Sequence, residues 1–193
     1  MTTVYLARHG QSDWNAELRW QGHADRPLTE LGRQQAAELA RQLAEVPLDA
    51  VYSSDLLRAR ETAEAVASPH GLVVQALPEL REIDVGSWSG ITRAEAEERF
   101  PEAFRRWTGG SHGWEDGETY EDMATRVVAA VLEIAAEHPG GTVLVVSHGG
   151  PIRMLHASSL GMGLVAHRRL RPPEPNAQLS RVAVVDGEIR KLD

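Results

Sequence analysis

Four short apolar segments, each leading into a cluster of glycine, hydroxyl and charged residues, limit the fold of this chain more than any other feature. The clearest is Thr142-Val143-Leu144-Val145-Val146, apolar throughout after its threonine, as a strand covered on both faces should be. Val4-Tyr5-Leu6-Ala7, Ala50-Val51-Tyr52 and Leu72-Val73-Val74-Gln75 read as further strands. Helical patterns lie between them. Thr29 can cap a helix whose inner face is Ala36, Leu39, Ala40 and Leu43, and a second helix from about Leu57 turns Ala59, Ala63, Val66 and Ala67 inward. Thr92-x-x-Glu95 and Thr119-x-x-Asp122 are capping-box patterns, the latter opening a stripe of Met123, Val127, Val131 and Ile134. Gln178–Val185 and Glu188–Leu192 read as a closing hairpin that turns at Asp186-Gly187. Strands alternating with helices predict an α/β fold, a three-layer α/β/α arrangement with a mostly parallel central sheet. In such sheets ligands bind beyond the carboxyl ends of the strands, so the residues just after each strand carry the functional argument.

Those residues share a chemistry. After the first strand comes Arg8-His9-Gly10-Gln11-Ser12-Asp13-Trp14-Asn15, and after the second Ser53-Ser54-Asp55-Leu56-Leu57-Arg58. Leu80-Arg81-Glu82-Ile83-Asp84-Val85-Gly86 follows the third and Ser147-His148-Gly149-Gly150 the central one. A phosphoryl group in transfer spreads its charge over three oxygens, so a protein mainly positions it and supplies positive charge. Arg8 and Arg58 suit that role, because a guanidinium gives two parallel hydrogen bonds to phosphate oxygens and keeps its proton. One histidine of the pair would attack phosphorus as a neutral imidazole, while the other, charged, donates to an oxygen. Glu82 would protonate the leaving alkoxide and later take a proton from water. Gly10, Gly149 and Gly150 are expected to let backbone approach the anion. The amides of the helix from Leu57 are expected to face it.

The chain resembles the histidine phosphatase superfamily in its phosphoglycerate-mutase-like branch. The resemblance is carried in order by Arg8-His9-Gly10, Asn15, Gln21-Gly22, Asp25-x-Pro27-Leu28-Thr29, Ser53-Ser54-Asp55-x-x-Arg58, Glu82 and Ser147-His148-Gly149. It implies that His9 is the phosphorylated nucleophile, Glu82 the acid and base, and Arg8, Arg58 and His148 the phosphate pocket. It further implies Ser12, Asn15, Gln21, Gly22 and Gly149 on the substrate side, with a substrate lid over about residues 88–120 of one domain spanning 1–193. Gly117-Glu118-Thr119 resembles the family's Gly-Glu-Ser segment. Gln11-Ser12 stands where Glu-Thr is common. The stretch between Glu82 and His148 is shorter than in cofactor-dependent mutases, which favours a compact phosphatase. A phosphoglycerate mutase and a non-catalytic phosphate-binding protein are the alternatives. Trp88, Trp107 and Trp114 fall in the lid region, and one or more of them should shape the leaving-group pocket. The Glu95–Thr119 stretch itself reads as irregular.

Composition narrows the partners. The net charge of −8 opposes sequence-independent nucleic-acid binding, and no apolar run approaches a membrane span. With no cysteine among 193 residues there is no disulfide, thiolate metal site or catalytic thiol. Met1–Leu6 runs into the first strand without a leader pattern, so a cytoplasmic enzyme is expected, with no cofactor, a small phosphorylated metabolite as partner and a homodimer left open. The eight histidines offer no metal-ligand spacing. His23, His70, His112, His138, His156, His167 and Asp84 are read as structural, and Arg60 as either a phosphate contact or surface. Gly161–Ala166 fits a dinucleotide fingerprint but follows a helical segment, and Gly86-Ser87-Trp88-Ser89-Gly90 lacks the central serine of an esterase elbow. Arg171–Asn176 reads as a loop.

Overall fold

The computed structural model of the chain describes residues 1–163 and 174–192. Its sheet contains β1 (Thr2–Arg8), β2 (Ala50–Ser53), β3 (Val74–Ala76), β4 (Thr142–Ser147), β5 (Leu179–Val185) and β6 (Glu188–Lys191), in the order β3-β2-β4-β1-β5-β6. The first four strands are parallel to one another, β5 pairs antiparallel with β1, and β6 pairs antiparallel with β5. The described helices are α1 (Asp13–Ala16), α2 (Glu30–Leu43), α3 (Leu57–Ala67), α4 (Arg93–Arg99), α5 (Pro101–Thr108), α6 (Tyr120–Glu137) and α7 (Gly149–Ser159). This is the expected α/β architecture. The fingerprint-like run at 161–166 and the loop at 171–176 lie partly outside the described residues, and His167 wholly so.

Alternation along the strands builds two apolar layers. On one face Ala7, Val51, Leu144 and Val146 meet Leu39 and Leu43 of α2 and Ala59, Ala63 and Val66 of α3. On the other, Val4, Leu6, Val143 and Val145 meet Met123, Val127, Val131 and Ile134 of α6 and Ile152 and Leu155 of α7. The caps form as their residue types require. Thr29 accepts from Gly32 N, and Thr92 and Thr119 both complete reciprocal capping boxes. The closing hairpin turns on Asp186 and Gly187, both at positive φ (52° and 77°), the backbone a two-residue turn of the right hand needs.

Two expectations change. β3 begins at Val74 rather than Leu72, because the Leu72 amide bonds back to Ala67 O at 3.1 Å and Val73 is exposed. The stretch after Glu95 is not irregular: α4 and α5 occupy 93–108, with Pro101 at the first position of α5, where its missing N–H costs nothing. Only the part beyond Thr108 is loop.

The register of the parallel strands sets up the site. Arg8 lies opposite Ser147, so the next residues of β1 and β4, His9 and His148, leave the sheet side by side.

Candidate active site

The His9 and His148 rings meet edge-on, with centroids 5.1 Å apart, and both are buried. His9 is held by its backbone: its N–H donates to Ser147 O at 3.0 Å, and its carbonyl accepts from Ala177 N and from the Asn176 side-chain amide. The following amide, Gly10 N, donates to Thr62 Oγ1 of α3 at 3.0 Å. Nδ1 of His9 lies 2.6 Å from Gly10 O. A carbonyl only accepts, so Nδ1 carries the proton and the in-plane lone pair of the neutral ring sits on Nε2. Burial, with Arg58 and Arg8 close by, holds the His9 pKa well below 6.5, which keeps that lone pair available.

Arg58 is buried from α3 and donates to Ala24 O at 2.7 Å and Gly22 O at 2.9 Å, while Arg8 donates to Glu174 O. Burial lowers both guanidinium pKa values, that of Arg58 to about 10. Among the described residues, the Nε atoms of Arg8 and Arg58 and both ring nitrogens of His148 are buried without a hydrogen-bond partner. Buried polar atoms left this way are costly unless a ligand meets them, and a group with several acceptor oxygens fits this set. His148, expected to be charged, is instead held toward the neutral form by burial and then by Arg58 and His9. An arriving phosphate dianion reverses that field and favours protonation.

Glu82 reaches the site from the segment after β3. Its carboxylate accepts from Ile83 N at 2.9 Å and from Gly150 N at 3.2 Å, at the start of α7. Arg81, by contrast, is spent on a bidentate pair with Asp55, and Arg60 faces solvent beside Glu64. Asp84 accepts from Gly86 N, a turn contact. The glycines do different work from the one expected. A Cβ on Gly10 would strike the backbone of Gly32, and one on Gly150 would strike the Glu82 carboxylate, whereas one on Gly149 would meet only ordinary contact with Arg8. Gly10 thus serves helix packing and Gly150 admits the carboxylate. Of the first amides of α3, that of Leu57 is taken by Asp25 Oδ1 at 2.6 Å rather than left for the anion.

A cleft of about 370 Å³ opens from this cluster. Arg8, His9, Arg58 and Glu82 line it, as do Asn15, Gln21, Gly22 and Gly149. Ser12 does not. It is fully buried as the N-cap of α1, where its hydroxyl meets Gln21 Oε1 at 2.7 Å and its amide donates to Asn15 Oδ1. Ser12 therefore places Asn15 and Gln21 rather than touching the cleft. The far wall is aromatic and cationic: Trp20, Trp107, Trp114, Tyr120, Ile83 and Met123, with Arg19, Arg93 and Arg153. Of the three tryptophans singled out in the sequence, Trp107 and Trp114 line the cleft, Trp114 being buried in the core as well, while Trp88 is core alone, stacked on Phe100 and on Phe104. Trp20, at 5.1 Å from Trp107 edge-on, went unread although it directly precedes Gln21. Arg153 was also legible, being one helical turn beyond Gly149 on α7. Arg93 had no signal, because it acts through its stacking on Trp107 and Phe104, at 5.3 and 5.4 Å. Among the described residues no three His, Cys, Asp or Glu side chains gather as a metal ion would require.

Residues 4–192 match the family model described as the histidine phosphatase superfamily, branch 1. Phosphoserine phosphatase 1 of Hydrogenobacter thermophilus is 39% identical over 166 residues, covering 85% of this chain and 79% of that protein. A probable phosphoglycerate mutase of Enterobacter sp. is 34% identical over 94% of this chain and 85% of its own length. Among solved structures, YhfR of Bacillus stearothermophilus superposes with a TM-score of 0.92 at 36% identity, over 99% of this chain and 95% of that one.

Proposed function

The chain belongs to the histidine phosphatase superfamily, and from that premise we propose that it hydrolyses small organic phosphate monoesters through a phosphohistidine on His9. The observation that carries the reading is the hydrogen bond from His9 Nδ1 to Gly10 O, which leaves Nε2 as the attacking atom beside two buried guanidinium groups. In the first step the Nε2 lone pair forms the N–P bond, the ester O–P bond breaks, and the leaving alkoxide takes a proton from Glu82. In the second, Glu82 removes a proton from water, the hydroxide attacks phosphorus, the N–P bond breaks and inorganic phosphate leaves. Arg8, Arg58 and His148 hold the equatorial oxygens through both steps, the main catalytic contribution in a transfer of this kind. Asn15, Gln21, Gly22 and Gly149 border the transferred group. No step calls on a metal or an organic cofactor.

The leaving group occupies the wall made by Trp20, Trp107 and Trp114, with residues 88–120 as the lid of one domain spanning 1–193. Phosphoserine and phosphoglycerate, from which relatives take their names, both carry a carboxylate near the ester. Arg93, fixed over the Trp107 face, is one of the far-wall cations this cleft offers to such a group. Its replacement by Ala should raise KM for phosphoserine and 3-phosphoglycerate several times more than for p-nitrophenyl phosphate, which has no carboxylate. A small phosphorylated metabolite is thus the partner, and the cytoplasm, where such metabolites are held, the compartment.

The likeness to a probable phosphoglycerate mutase supports a second reading, because a phosphohistidine that passes its phosphoryl group to the other hydroxyl of a bound glycerate would isomerise the phosphoglycerate. Incubation with 3-phosphoglycerate and its bisphosphate separates the two. Release of inorganic phosphate supports the phosphatase, and isomerisation without release supports the mutase. Turnover of either kind removes a purely phosphate-binding role.

A further inference from the structure

Arg126 lies outside the residues that face the cleft, yet three of its five N–H donors converge on the segment that carries Glu82 and the other two on Glu118. Its Nε and Nη2 grip the Glu118 carboxylate at 2.6 and 2.7 Å, Nη1 donates to the carbonyls of Glu79 and Arg81 at 2.8 Å each, and Nη2 also donates to Glu82 O at 2.9 Å. A guanidinium has five donors in a rigid plane, so each is committed and the plane fixes three carbonyls of one short segment at once. From the other side His23 Nε2 donates to the same Glu82 carbonyl at 2.8 Å. Glu118 is itself anchored, its amide on Asp84 O at 2.9 Å and its carbonyl accepting from Trp114 Nε1 at 2.7 Å. Residues 79–82 have no strand to hold them, since β3 ends at Ala76 and only a single turn of helix at 78–80 follows. The Ser147 hydroxyl, donating to Leu80 O, is the sheet's one side-chain tie to this segment among the described residues.

We propose that Arg126, seated by Glu118, is a positioning residue for the reaction: it fixes the backbone of Glu82 so that the carboxylate meets the leaving oxygen. The inference rests on the reading of Glu82 as acid and base. A staple that merely stabilised the fold would act on every substrate alike. One that places a proton donor acts where the proton is needed, on a poor alkoxide leaving group, and hardly at all on a nitrophenolate that departs without it. The ratio of kcat/KM for β-glycerol phosphate and 2,4-dinitrophenyl phosphate isolates this effect, because kcat/KM reports the first phosphoryl transfer and not the later attack of water.

Lysine at 126 keeps the charge beside Glu118 but has no planar fork to span three carbonyls. Arg126→Lys should lower kcat/KM for β-glycerol phosphate roughly 10- to 100-fold and for 2,4-dinitrophenyl phosphate by less than about threefold, the scale of loss a small misplacement produces. Glu118→Gln should move the ratio the same way by a smaller factor, and it carries the test if Arg126→Lys does not fold. Glu82→Gln, measured alongside, is the reference. A changed ratio for Glu82→Gln with an unchanged ratio in the Arg126 and Glu118 variants overturns the inference and leaves the role of Glu82 standing. An unchanged ratio for Glu82→Gln as well overturns the reading on which it rests. Equal losses on both esters reduce Arg126 to a structural staple.

Discussion

The two ends of the cleft are built on different physical terms. At the phosphate end, polar groups are buried and their geometry comes from the backbone: a parallel register sets His9 against His148, and carbonyls hold Arg8 and Arg58. At the leaving-group end, side chains hold one another. Trp20, Trp107 and Trp114 meet edge-on, and Arg93 lies over Trp107 and Phe104. The first arrangement is stiff and suits one ligand chemistry, since buried unpaired nitrogens tolerate little but an oxyanion. The second rests on contacts worth about 0.5–1.5 kcal/mol per aromatic pair, so its half-buried members Trp20 and Trp107 can be exchanged without loss of the fold, whereas Trp114 is buried in the core. On the proposed function, chemistry and specificity are thereby separated within one cleft.

Substitutions should respect that boundary, and the largest effect lies at its phosphate end. His9→Ala should cost at least about 10⁴-fold in kcat on every ester, the scale seen when a nucleophile is removed, with the melting temperature nearly unchanged. A substantial residual rate would break the comparison at its firmest point. Next comes Gly150→Ala, whose new methyl would collide with the Glu82 carboxylate. Steady-state assays should show kcat reduced about 100-fold with KM held within about twofold, because the carboxylate is displaced while the phosphate contacts remain. Smaller effects should distinguish the tryptophans. Trp88→Ala should lose about 3–5 kcal/mol of stability in urea unfolding. Trp107→Ala should lose far less, and instead raise KM about tenfold for a substrate with a bulky leaving group, a change of about 1.4 kcal/mol. Equal stability losses would place Trp107 in the core and erase the distinction.

The smallest expected effect is electrostatic. In the folded chain His9 and His148 are both held well below 6.5 by burial and neighbouring arginines, so the unfolded chain binds more protons as pH falls through 6.5. Their contribution is complete above that value and is lost progressively on acidification toward the folded pKa values. The urea midpoint should therefore drop between about pH 7.5 and about pH 5.5, and less steeply in His148→Gln. Inorganic phosphate should soften the drop, because a bound dianion makes protonation of His148 favourable. A slope unaffected by either change would contradict the burial argument.

The same division explains what could be read in advance. Strand-end clusters announced Arg8, His9, Arg58, Glu82 and His148, because a parallel sheet brings such ends to one rim whatever the distance in sequence. Capping residues located α2, α4 and α6 by local chemistry alone. Ser12 was misplaced because a hydroxyl near a motif reads equally as ligand contact or helix cap, and only the N-cap backbone of α1 decides between them. Gly10 and Gly150 were recognised as necessary for the wrong reason, since the neighbours that exclude a Cβ come from distant segments. Arg93 and Arg126 were invisible for a related cause: their partners, Trp107 and the carbonyls of 79–82, are spaced by tertiary folding and follow no sequence period.

The central claim is that Nε2 of His9 receives the phosphoryl group. Rapid acid-free quenching during turnover of phosphoserine, followed by phosphorus NMR of the trapped protein, tests it directly. The account predicts one phosphohistidine, bonded through Nε2 of His9 and absent from His9→Ala. A phosphoryl group on His148, on Nδ1 of His9, or no phosphoenzyme at all in an active sample would contradict it.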